Sequence, residues 1–137
     1  MTAVIQPGVT IEAFEAGAID VGAFDHEAHV YVGWLYLERY SLLDAIGRYT
    51  AALQRLTRQL GIPGKYHETI TWFFLVLIEE RRSRAKTEGW TAFRLANPDL
   101  CLEADAILRG YYSRELLASP LARTSFLLPD SRPRQAV

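Results

Sequence analysis

Apolar positions recur at helical spacing through most of the chain, and three long stretches stand out. Ile46, Tyr49, Leu53, Leu56 and Leu60 form one stripe, with Arg48, Arg55 and Arg58 on other faces, which predicts an amphipathic surface helix. Ser41 is its N-cap, with Asp44 at the third helical position, and Gly61 and Pro63 end it. The stretch before it, from about Asp25 to Tyr40, is so rich in Tyr31, Trp34, Leu35, Tyr36 and Leu37 that most of its circumference should be buried. Gly33 interrupts that helix at ~1 kcal/mol relative to Ala, a sign of close packing or ligand approach. The third stretch runs from about Lys65 to Lys86. Its centre, Trp72 to Ile78, has no polar face, which predicts a central helix ending before Gly89.

Shorter elements flank these three. Thr10 caps a short helix near Ile11–Ala16, within an otherwise irregular arm whose Val4, Ile5, Ile11, Phe14 and Ile19 need cover. A single turn is expected at Thr91–Leu95. Asn97, Pro98 and Asp99 then place a cap, a proline and an acid in the order that opens a helix, predicted to run as one piece to Gly110. Ser113 and Ser119 cap two further turns, and the tail after Pro129 is expected to be mobile. The fold class is therefore all-α: a compact bundle of about four main helices, with an N-terminal arm (1–23) and short C-terminal helical turns. Residues 24–128 form the bundle and 129–137 a tail, in one domain spanning 1–137.

Composition narrows the partners. The chain has 137 residues, a size at which one hydrophobic core suffices. Its 15 basic and 16 acidic side chains nearly cancel, but residues 1–38 hold six acids and no Lys or Arg. Such an N-terminus lacks the positive charge of a secretory or organellar targeting segment. The longest apolar run is far shorter than the ~20 residues of a membrane span. These features predict a cytoplasmic protein that binds no membrane. The absence of a dense basic face argues against nucleic acid. Cys101 is the one cysteine, which excludes an internal disulfide and a thiolate zinc cluster. The aromatic helix suits a monomer core or a homodimer interface equally.

The three histidines fall in two motifs. His26 and His29 lie three apart at the start of the first long helix, so they share a face. His67 follows Lys65 and Tyr66 at the start of the third. Short connections make consecutive helices antiparallel neighbours, which brings both helix starts to one end of the bundle and returns Tyr111 and Tyr112 there. Three neutral imidazoles with an open fourth position would hold one divalent metal, Zn, Fe or Cu, with Asp25, Glu27 and Glu68 as supporting carboxylates. The metal-free alternative is acid–base chemistry at His67, with Lys65 and Tyr112 orienting an anionic or carbonyl group and Thr71 steadying the ring. The plainer alternative leaves His26 exposed at a helix start beside Asp25, bonds His29 to a buried carbonyl, and has His67 cap its own helix or pair with Glu27.

At these motifs the sequence resembles a group of short bacterial all-helical proteins without an established activity. The resemblance is carried by Phe24-Asp-His-x-x-His29, by Trp34-Leu-Tyr-Leu37 and by Lys65-Tyr-His-Glu-Thr-Ile-Thr71. It continues through Tyr111-Tyr-Ser113, Leu116, Ser119, Ala122-Arg123, Phe126 and Pro129-Asp130. It implies one intact helical domain and supplies neither substrate nor cofactor. Two functions follow from the residues: a small-molecule enzyme with a His-rich, metal-dependent or acid–base site at one end of the bundle, or a non-catalytic small-molecule-binding or accessory protein using the same pocket. A purely structural polar cluster is the third reading.

Overall fold

A computed structural model describes residues 7–131. They form helices and short 3-10 turns, with no strand among the described residues. The expectation of a mobile tail concerns mainly residues 132–137, and the cover expected for Val4 and Ile5 concerns residues 1–6. Both lie outside the described range.

The first helix, α1 (Ile11–Glu15), starts at Thr10, whose hydroxyl accepts the Ala13 N–H. It drives Phe14, fully buried, between α2 and α3, where the ring packs against Tyr36 and Tyr49. The arm is thus part of the core. Asp25 caps α2 (His26–Arg39), and its carboxylate accepts the Ala28 N–H at 2.9 Å. As the sequence predicts, α2 is buried almost all round, through Val30, Tyr31, Val32, Trp34, Tyr36 and Leu37. Helix α3 (Leu42–Gln59) is capped by Ser41 and shows the core one stripe, Ala45, Tyr49, Ala52, Leu53 and Leu56. It ends at Gly61, whose φ of +73° is the left-handed conformation that favours glycine.

Helix α4 (Glu68–Arg84) begins three residues later than the sequence suggests, because Pro63–Lys65 form a 3-10 turn and His67 is the cap. It packs on both α2 and α3, with Phe73, Leu75, Leu77 and Ile78 buried. Val76 remains 42% exposed, so its apolar centre is not covered on every side. Gly33 explains how closely α2 and α4 approach. A Cβ there would sit 3.2 Å from Leu75 Cδ2 and 3.3 Å from Ile78 Cδ1.

Helix α5 (Gly89–Ala96) adds Trp90 and Phe93 to an aromatic cluster with Tyr31 and Trp34. The single helix expected after Asn97 is instead two, α6 (Pro98–Leu102) and α7 (Ala104–Tyr111), broken at Glu103. The break coincides with docking. Asp99 is held by both Arg81 guanidinium nitrogens, at 2.8 and 3.1 Å, and Leu100 is buried against α2. Two one-turn helices, α8 (Arg114–Ala118) and α9 (Pro120–Thr124), are capped by Ser113 and Ser119. The chain then folds back along α4.

Candidate functional site

Residues from the first half of α2, the middle of α3 and the first three turns of α4 line a partly open cavity of about 270 Å³. Its walls are mainly apolar. Val30 and Gly33 come from α2, Leu53 from α3, and Ile70, Phe74, Leu75 and Ile78 from α4, with Phe24 at the entrance to α2. The polar residues lining it are Asp25, His26, His29, Tyr49 and Thr71. No Lys or Arg is among the described residues that line it.

His29 is the most informative of these. Its Nδ1 lies 2.7 Å from the Asp25 carbonyl oxygen, four residues back. A carbonyl only accepts, so Nδ1 carries the proton and, in the neutral ring, Nε2 keeps its lone pair. Nε2 makes no hydrogen bond among the described residues. Burial holds the His29 pKa below the ordinary imidazole value of 6.5; the Asp25 carbonyl opposes that shift and His26 adds to it. The ring is braced by Phe24, with centroids 4.0 Å apart. His26 faces the same space. Its Nε2 donates to the Leu100 carbonyl at 2.8 Å, tying α2 to α6, and its ring meets the edge of Phe74 at 5.2 Å.

His67 is placed elsewhere. Its Nδ1 accepts the Ile70 N–H at 3.2 Å, capping α4, while its Nε2 donates to the Leu117 carbonyl at 2.8 Å. Both ring nitrogens are therefore engaged, and His67 does not line the cavity. The structure brings together two of the three histidines. Among the described residues, no group of three or more His, Cys, Asp or Glu side chains is arranged to hold a metal ion. Lys65 is exposed on the turn before α4 and does not line the cavity. The buried Tyr112 is also absent from its walls, because its hydroxyl donates to the Leu127 carbonyl at 2.8 Å. The carboxylates are likewise occupied: Glu27 takes Arg94 at 3.1 Å, and Glu68 accepts from the Tyr66 hydroxyl. Cys101 is half-buried, and burial pushes its thiol up to about 11, so it carries little thiolate at neutral pH.

The residues around His67 instead form a clasp. Thr69, fully buried, places its hydroxyl 2.7 Å from the carbonyls of Ala122 and Ser125 and accepts the Leu127 N–H at 3.2 Å. Trp72 stacks on Phe126. Arg123 reaches the Gly64 carbonyl at 2.8 Å, and Asp130 accepts both the N–H and the hydroxyl of Ser113. Segments 65–71 and 111–130 thus bond to each other, and of residues 65–71 it is Ile70 and Thr71 that line the cavity.

No protein-family model, curated protein or solved structure matches the chain. The candidate site therefore rests on its own geometry. Sequence reasoning underrated Tyr49 and Thr71 as cavity residues. The stripe spacing of Tyr49 and the helical offset between Thr71 and Ile78 were the signals that could have placed them there.

Proposed function

We propose that the protein binds a small, largely apolar molecule in the cavity between α2, α3 and α4, with His29 as the group that meets its polar end. The observation that carries this reading is His29 Nε2, which makes no hydrogen bond to a described residue, in a residue that lines a mainly apolar cavity. A cavity of about 270 Å³ is larger than the ~150 Å³ that takes one benzene and close to the ~300 Å³ at which ligand pockets usually begin. Its natural occupant is one substituted ring.

The neutral His29 is suited to accept a proton as well as a hydrogen bond, which makes it the general base if the bound molecule reacts. Its pKa, lowered by burial, keeps that acceptor available at neutral pH. The binding role is the reading supported best, since no Lys or Arg is among the described residues lining the cavity and the side-chain protons of His26, Tyr49 and Thr71 are directed at backbone carbonyls.

Nuclear magnetic resonance titration with benzene, toluene and indole tests it. Binding should move the amide signals of Val30, Ile70 and Phe74 together and raise the melting temperature in proportion to occupancy. In Leu53→Trp, which fills the cavity from α3, both responses should vanish. If none of the three probes perturbs these amides, the cavity is not a binding site.

A further inference from the structure

The hydrogen bonds made by the polar cavity residues have one property in common. His26 Nε2–H goes to the Leu100 carbonyl and His29 Nδ1–H to the Asp25 carbonyl. The Tyr49 hydroxyl donates to the His29 carbonyl at 3.3 Å, and the Thr71 hydroxyl to the His67 carbonyl at 2.7 Å. Each side-chain proton is already directed at a backbone oxygen. Asp25 is a carboxylate, which only accepts. Among the described residues, the side chains lining the cavity therefore present lone pairs to it and no side-chain proton to donate.

We propose that the cavity selects neutral aromatic molecules that carry a proton donor, phenols and N–H heteroaromatics, and discriminates against anions and against rings whose polar group only accepts. This rests on the small-molecule reading above and names its ligand class. Charge and hydrogen bonding point the same way. An anion would enter beside the Asp25 carboxylate, with no Lys or Arg among the described residues of the walls to meet it. A ketone or ether oxygen would give up water on entering and find no side-chain donor, a costly arrangement in an apolar site. A phenolic O–H can point at His29 Nε2 and leave its ring among Phe24, Tyr49 and Phe74. Specificity of this kind comes from what the site refuses as much as from what it holds.

The test compares four probes of similar size at pH 7.5: p-cresol, toluene, acetophenone and benzoate. Affinities are read by calorimetry or by amide shifts. The wild-type protein should bind p-cresol about five- to ten-fold more tightly than toluene, with acetophenone and benzoate weaker than toluene. In His29→Leu the order of p-cresol and toluene should reverse, because the buried O–H then lacks its acceptor, while toluene binding persists. His29→Phe, which keeps a ring beside Phe24, serves if the leucine variant does not fold. Toluene binding as tightly as p-cresol, or acetophenone or benzoate binding more tightly than toluene, would overturn the donor-selective cavity and leave the binding site intact. Failure of all four probes would overturn the binding site itself.

Discussion

His29 Nδ1 donates to the carbonyl of Asp25 across 2.7 Å, and that one bond determines which nitrogen is left for the cavity. Asp25 is also the cap of α2, so its carboxylate holds the Ala28 N–H while its carbonyl holds the imidazole. Helix start and site acceptor are positioned by the same residue. Asp25→Ala should lower stability by about 1 kcal/mol, the usual cost of a lost cap. It should leave the His29 tautomer unchanged, since the carbonyl remains. Urea denaturation gives the first quantity and imidazole nitrogen shifts the second.

The lowered pKa of His29 gives stability a direction with pH. The unfolded chain takes up a proton near the ordinary value of 6.5, and the folded protein does so only at lower pH. The His29 contribution is therefore complete above pH 6.5 and is lost as pH falls through the folded-state value. Urea melts between pH 8 and 4.5 should show this loss, and subtracting the same series for His29→Leu should remove that component.

His67 acts as a fastener in this account. His67→Ala removes a helix cap and the bond to Leu117, and should cost about 1–3 kcal/mol. His67→Asn keeps a capping side chain and should lose less. Neither substitution should change affinity for a cavity probe in protein that remains folded, measured by the same titration as for the wild type.

Thr69→Val tests the clasp between α4 and the segment beyond Tyr112. The swap keeps the shape but leaves the Leu127 N–H and two carbonyls without their hydroxyl partner, at about 1–3 kcal/mol for each buried group left unpaired. Hydrogen exchange should accelerate first in residues 113–131, ahead of α2 and α3.

Gly33→Ala weighs helix propensity against a tight contact. The new Cβ would press on Leu75 Cδ2 and Ile78 Cδ1, both ends of side chains that line the cavity and can yield into it. Stability should change by less than about 1 kcal/mol, while probe affinity falls as the cavity shrinks. Thermal melts and toluene titration separate the two effects.

The all-helical architecture was legible because local signals agree with it. Thr10, Asp25, Ser41, Ser113 and Ser119 are caps that accept a backbone N–H within their own turn, an interaction that depends on nearby residues alone. The break at Glu103 was not legible, since the Arg81–Asp99 contact spans 18 residues and docks α6 in a way no spacing rule anticipates. The same limit applies to the site. His26 and His29 share a face through their spacing, so their joint position at the cavity follows from one helix. The position of His67 depends on Leu117, 50 residues away, and on a C-terminal segment that folds back along α4. A motif at a helix start reads the same in sequence whether its imidazole caps the helix or faces a pocket.

The donor-selective cavity requires His29 to be a neutral imidazole with its unprotonated Nε2 left for a ligand. Two-bond proton–nitrogen correlation on uniformly labelled protein at pH 7.5 reads this directly. His29 should show a protonated Nδ1 and an unprotonated Nε2, with the Nε2 signal shifting when p-cresol is added and staying put with toluene. A protonated Nε2, or an Nε2 signal indifferent to both probes when they bind, would contradict it.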